Sequence, residues 1–175
     1  MSLFDKCLKI VLIHEGGYSD DPDDLGGTTN YGISLRFLKS VGLELGDVDD
    51  DGDIDADDIK KLDISHASKL YKKYFWDKMK LNLLSTDLLI LHLFDMGVNA
   101  GSNTAIKILQ RILNVTIDGI LWKETLSALL KADQNEVINK YIQARYAYYD
   151  AIVVKNPKLK KYITGWYNRV SSTKF

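Results

Sequence analysis

Glu15-Gly16-Gly17-Tyr18 is a stretch whose residue types could do chemistry, together with the Ser19-Asp20-Asp21-Pro22-Asp23-Asp24-Leu25-Gly26-Gly27-Thr28-Thr29-Asn30-Tyr31-Gly32-Ile33 segment behind it. One carboxylate closes an apolar run, and a loop dense in Gly, Asp and Pro follows. That order presents a single acid at the lip of a cleft whose opposite wall is a turn or hairpin. Apolar neighbours and the carboxyl end of a helix both favour a protonated carboxyl group. This is the form a general acid needs.

A second stretch, from Asp47 to Asp58, carries ligand chemistry. Asp47, Asp49 and Asp51 take positions one, three and five of an EF-hand-like loop, and Gly52 stands at six, where the sharp turn demands glycine. Asp53 at seven offers its carbonyl, Ile54 is the apolar anchor, Asp55 is at nine and Asp58 at twelve. Asp in place of Glu at twelve departs from the EF-hand and is closer to a single dockerin-type loop. So many carboxylates would repel one another without a cation, so a structural calcium ion is expected.

The ordered set Glu15-Gly16-Gly17-Tyr18, Asp21-Pro22, Gly26-Gly27-Thr28-Thr29-Asn30 and Tyr31-Gly32-Ile33 resembles the EGGY-type N-acetylmuramidases of glycoside hydrolase family 108. These lysozyme-like enzymes occur among phage endolysins and bacterial secretion activator proteins. The resemblance implies an all-α, mainly helical, lysozyme-like fold with a short hairpin or turn after the first helix. It also implies peptidoglycan as substrate and Glu15 as the catalytic acid. Glycoside hydrolysis usually employs a second carboxylate. Asp24 is the preferred candidate, because its distance from Glu15 resembles the spacing in lysozymes of T-even phages, where an Asp and then a Thr follow the Glu. Asp20, Asp21 and Asp23 remain open. By the same likeness Thr28 or Thr29 would hold a nucleophilic water. Tyr18, Asn30 and Tyr31 are candidate substrate-binding residues.

The elements that must position these groups can be read from spacing. Leu3, Phe4, Cys7, Leu8, Ile10 and Val11 recur at helical intervals, with Ser2 as N-cap, Asp5 in the first turn and Gly16-Gly17 as the stop. Glu15 shares the face of Leu8 and Val11. A helix over 34–41 is ended by Gly42, and residues 59–76 read as helix closing on Tyr74-Phe75-Trp76, which resembles a segment of the family. Leu83 to Gly101 is almost wholly apolar, as in a buried central helix. Asp95 and Asn99 interrupt it one turn apart. Such polar groups need partners, at a cleft or in a buried hydrogen-bond network. A similar Asp…Asn-x-Gly pattern in the family implies the cleft floor, with Asp95 and Asn99 touching substrate or positioning Glu15.

Further on, Leu109-Gln110, Asp118-Gly119 and Thr125 resemble a helical peptidoglycan-binding pattern. A helix over 136–153 and a basic loop over 155–161 lead to Gly165-Trp166-Tyr167-Asn168-Arg169, which matches the family's closing Gly-Trp-x-x-Arg. Trp166 is expected to pack the last helix onto the body. The expectation is a single lysozyme-like domain over 1–175. Its catalytic lobe, 1–86, carries the loop insertion 47–58, and a helical lobe, 87–175, resembles a peptidoglycan-binding region.

Composition sets the outer bounds. Apolar content of 46% and charged content of 27% are those of an ordinary globular chain. No stretch reaches transmembrane length, and the apolar run before Glu15 is too short for a signal peptide. The chain is therefore expected to be made in the cytoplasm and to act at the wall after release or export. Cys7, the lone cysteine, reads as a core thiol. Net charge is −1, yet eight of the 24 acids fall within 47–58, which leaves 16 acids against 23 basic residues elsewhere. Such a surface suits an anionic wall. Nucleic acid is set aside, since no recognition motif accompanies the charge, and a monomer is expected. Two rival readings use the same residues: a calcium-stabilised peptidoglycan-binding protein without catalysis, and lytic transglycosylase-type cleavage.

Overall fold

A computed structural model describes residues 1–16 and 28–175. Among them are ten α-helices and one two-stranded ribbon. The chain divides into two compact units, Val11–Tyr74 and Met1–Ile10 with Phe75–Phe175, where the sequence suggests a single change of lobe between residues 86 and 87.

Helix α1 (Leu3–Glu15) opens with the expected cap. The Asp5 carboxylate accepts from the backbone N–H and the hydroxyl of Ser2, both at 2.8 Å, and these bonds hold its carboxyl below the usual range. Phe4, Cys7, Leu8 and Val11 are buried, and burial pushes the Cys7 thiol up to about 12, so it is inert as a nucleophile.

In the unit Val11–Tyr74, strands β1 (Thr29–Asn30) and β2 (Ile33–Ser34) pair antiparallel, with Thr29 opposite Ser34 and Asn30 opposite Ile33. Tyr31 and Gly32 form the two-residue turn, with φ of 51° and 74°. Two successive left-handed residues match the twist of a tight hairpin. Ser34 caps α2 (Leu35–Val41) by accepting from Phe37 N–H at 3.2 Å, and Gly42 ends it. Helix α3 (Leu43–Gly46), the acidic loop and α4 (Ala56–Lys61) follow. Helix α5 (Ile64–Tyr71) begins at an Asp63 cap that also binds His66 Nδ1 at 2.8 Å, and it continues as a π-helical turn over Lys72–Asp77. The helix read over 59–76 is thus broken at Leu62, where α4 is capped and a new N-cap begins.

The other unit is built on α6 (Asp87–Ala100), buried from Leu89 to Gly97 as its apolar run requires. Helices α7 (Ser102–Leu113), α8 (Lys123–Lys131), α9 (Gln134–Lys155) and α10 (Ile163–Ser172) complete it. Phe4 packs edge-on to Trp76 at 5.3 Å and against Phe94 at 6.0 Å. Trp166 stacks on Tyr149 at 5.2 Å, which docks α10 on α9. Gln110 is buried and ties the following turn together: its amide donates to Asp118 at 2.7 Å and to the Ile120 carbonyl at 3.0 Å, while its oxygen accepts from Gly119 N–H at 2.8 Å.

Candidate active site

Glu15 ends α1 against the hairpin turn. A Cβ placed on Gly32 would lie 2.6 Å from Glu15 Oε2, 2.7 Å from Glu15 Cγ and 2.7 Å from the Tyr71 hydroxyl. Only a residue without a side chain lets the carboxylate and the phenol close on the turn backbone together. The Tyr71 hydroxyl donates to the Tyr31 carbonyl at 2.8 Å, so the last turn of α5 fixes the same hairpin. Glu15 is half-buried, with Oε1 closed off from solvent. A carboxyl group held in this way has few rotamers to lose on meeting a substrate oxygen.

The other site candidates are distributed as follows. Tyr18 and Asp24, with Asp20, Asp21 and Asp23, lie outside the described residues. Thr29 sits half-exposed in β1, and Tyr31 is half-exposed at the turn beside Glu15. Asn30 is buried, and its amide donates to the carbonyls of Ile59 and Leu62, both at 3.1 Å. It fastens the ribbon to the end of α4, so both of its amide N–H donors are spent on the fold.

Asp95 and Asn99 part company. Asp95 is fully buried, and its oxygens accept from Arg145 Nη2 and from Arg169 Nη2 and Nε, the last two at 2.8 and 3.0 Å. Asp95 is thus not the cleft-floor, substrate-touching residue the family pattern implies: two guanidinium groups consume its lone pairs in a buried network. Arg145 also reaches His92 Nδ1 at 2.7 Å. A guanidinium only donates, so His92 must accept there and carry its proton on Nε2. Burial first, and the Arg145 charge second, hold that imidazole down to about 4. Asn99 is exposed at the end of α6 and accepts from the Tyr149 hydroxyl at 2.6 Å.

Sequence reasoning missed Tyr71 as a site residue. Its spacing from Ala67 and Leu70 reads as core, and it is indeed buried; only its hydroxyl reaches the turn.

The acidic loop is held by its own backbone. Asp47 accepts from Asp51 and Gly52 N–H at 3.2 and 2.9 Å, and Asp58 accepts from Val48 and Asp55 N–H at 2.6 and 2.7 Å. Carboxylate oxygens of Asp47, Asp49 and Asp58 lie within 4.8 Å of one another, as do those of Asp53, Asp55 and Asp58. Asp51 belongs to neither group, and its side chain receives Asp53 N–H at 3.1 Å. Repulsion from Asp51 is the leading cause that raises the Asp53 carboxyl. Asp49 Oδ2 meets Lys61 at 3.1 Å, while Asp49 Oδ1 is buried without a hydrogen-bond partner.

Comparison with known proteins adds identity to this geometry. The family model described as Glycosyl hydrolase 108 matches residues 8–101, and the one described as Predicted Peptidoglycan domain matches residues 104–171. Among solved structures, the Brucella abortus SagA structure is similar at 29% identity and a TM-score of 0.79, covering 97% of this chain and 90% of that one. No curated protein matches. The fold is the mainly helical, lysozyme-like one that the motif order implies.

Proposed function

The chain belongs to the glycosyl hydrolase 108 family, and on that footing we propose that it is an N-acetylmuramidase in which Glu15 protonates the leaving glycosidic oxygen. The two family matches together support a glycoside hydrolase acting on peptidoglycan. The finer reading is carried by one observation, the seat of Glu15 against Gly32 and Tyr71. A carboxyl group is pinned there at the carboxyl end of a helix by a turn with no side chain between them. Asp24 remains the proposed second carboxylate, and Thr29 the proposed holder of the attacking water.

Glu15→Gln tests the reading. It keeps the shape and removes the acid, so turnover of purified wall should fall by about 10²–10⁴-fold, with the thermal midpoint little changed. Mass spectrometry of the wild-type digest should find reducing muramic-acid ends. Anhydro ends would instead favour the transglycosylase alternative, and undiminished lysis by the variant would remove Glu15 from the chemistry.

A structural calcium ion belongs to the same proposal. Its support is the buried, unbonded Oδ1 of Asp49, together with the grouping of the Asp47, Asp49 and Asp58 carboxylates. An orphaned buried carboxylate oxygen is costly, and a hard cation with oxygen ligands would satisfy it. Asp47, Asp49 and Asp58 would hold the ion, with Asp53 and Asp55 grouped about Asp58. Its contribution would be to tie α3 to α4, outside the chemical step.

A further inference from the structure

The unit containing α6 to α10 has a small cavity that neither the acid site nor the acidic loop uses. Lys78, Lys80, Ser102, Asn103, Ile106, Gly119, Ile120 and Leu121 line it, and it holds about 180 Å³. Its walls are set by two devices. The Gln110 knot fixes the 118–120 turn, and Gly119, at φ 80°, is crossed by the Lys107 chain, whose Cε would lie 3.2 Å from any Cβ placed there. Lys80 lies over the Trp122 ring, 4.1 Å from its centroid. Trp122 is 56% exposed and Ile120 54%, an apolar rim that stays in water.

The charged residues that line this cavity are both lysines. Among the described residues neither Lys78 nor Lys80 has a carboxylate within ion-pair reach. Asp118 is committed to the turn, accepting from Gln110 and from Ile120 N–H. Two lysines without an ion-pair partner, with hydroxyl and amide side chains beside them and Trp122 next door under Lys80, make a surround suited to an anion attached to something apolar. The volume is below the range of about 300–1,000 Å³ that whole ligands occupy, so the cavity takes the tip of a longer molecule.

We propose that this cavity is a subsite for the free carboxylate of a peptidoglycan stem peptide, the peptide chain passing over Trp122 and Ile120. The proposal rests on the reading of the chain as a protein of the cell wall. Where peptides are attached, the lactyl carboxyls of the glycan are consumed in amide bonds, so the remaining negative charges belong to the peptides. A cation-lined end pocket is suited to those.

Calorimetry with N-acetylmuramoyl tetrapeptide tests this, since that compound has no glycosidic bond to cleave. The free acid should bind at least about tenfold more tightly than the same compound with its carboxylates amidated, the size of a charge-assisted bond. Lys78→Gln with Lys80→Gln should bind both forms alike, and Lys78→Arg with Lys80→Arg should keep the preference. Equal binding of acid and amide by the wild type, no measurable binding of either, or a preference surviving the double Gln variant would each overturn the proposal. Wall cleavage by the same wild-type preparation separates the two readings. Cleavage without acid preference sinks the subsite alone, whereas acid preference without cleavage sinks the hydrolase reading and leaves the subsite standing.

Discussion

A single methyl group at residue 32 measures how closely Glu15 is held. Gly32→Ala would put a carbon 2.6 Å from Glu15 Oε2 at a backbone φ of 74°. The left-handed conformation alone costs an alanine roughly 1 kcal/mol, and the clash must displace the carboxylate or open the turn. The expected outcome is loss of most turnover on wall, with only about 1–3 kcal/mol of stability lost by urea unfolding. Full activity in this variant would mean that the close approach has no part in catalysis. A turn or hairpin after the first helix was legible in the sequence, from the Gly-rich segment that follows Glu15, but its register about Tyr31-Gly32 was not. The partner hydroxyl of Tyr71 was not, since an aromatic at helical spacing looks the same whether its far end is bonded or idle. The backbone contacts of Asn30 were hidden for a related reason: an amide can donate to sugar or to its own backbone, and its N–H groups go to the end of α4.

Elements show where the longer couplings lie. Helices α6, α9 and α10 meet at Asp95, which Arg145 and Arg169 reach from residues far apart in sequence. Asp95→Asn leaves two guanidinium groups under-compensated, and breaking a buried ion pair from one side costs about 3–5 kcal/mol; denaturant unfolding should show a loss of that size. His92 in the same cluster gives the network a pH dependence. Its folded value of about 4 lies below the ordinary 6.5. The unfolded chain therefore takes the proton first, so stability is full above about 6.5, declines as pH falls toward about 4, and declines no further from this group below that. The loss should amount to about 3 kcal/mol at most, read as the difference in urea midpoints between wild type and His92→Gln across that window. A wild-type curve no steeper than the variant's would remove the assignment. The acidic loop acts as an element too. At a hundredfold excess of calcium over Kd the gain should be about 2.7 kcal/mol, roughly 5–11 °C in thermal midpoint. Identical melts in calcium and in chelator would exclude the ion.

For the whole chain, charge placement matters more than net charge. With eight acids gathered in 47–58, the remaining 16 face 23 basic residues, so attraction to an anionic wall should be screened once the Debye length shrinks below about 10 Å. Clearing of purified wall is expected to slow several-fold between about 0.02 and 0.5 M salt, and a flat profile would argue against electrostatic capture. The buried α6 was recoverable from its apolar run, a local pattern, whereas the lysozyme-like class and the closing Trp166 came through the family resemblance. The division into Val11–Tyr74 and the remainder was recoverable from neither. It depends on Phe4 choosing Trp76 and Phe94 as neighbours, a pairing that no local pattern encodes.

That choice has a consequence for synthesis. As the chain leaves the ribosome, residues 11–74 emerge as an uninterrupted block and can condense early. Residues 1–10 belong with the unit that resumes at Phe75. Phe4 must therefore wait until Trp76 and Phe94 have been made, so its ring goes without those partners while residues 11–74 emerge.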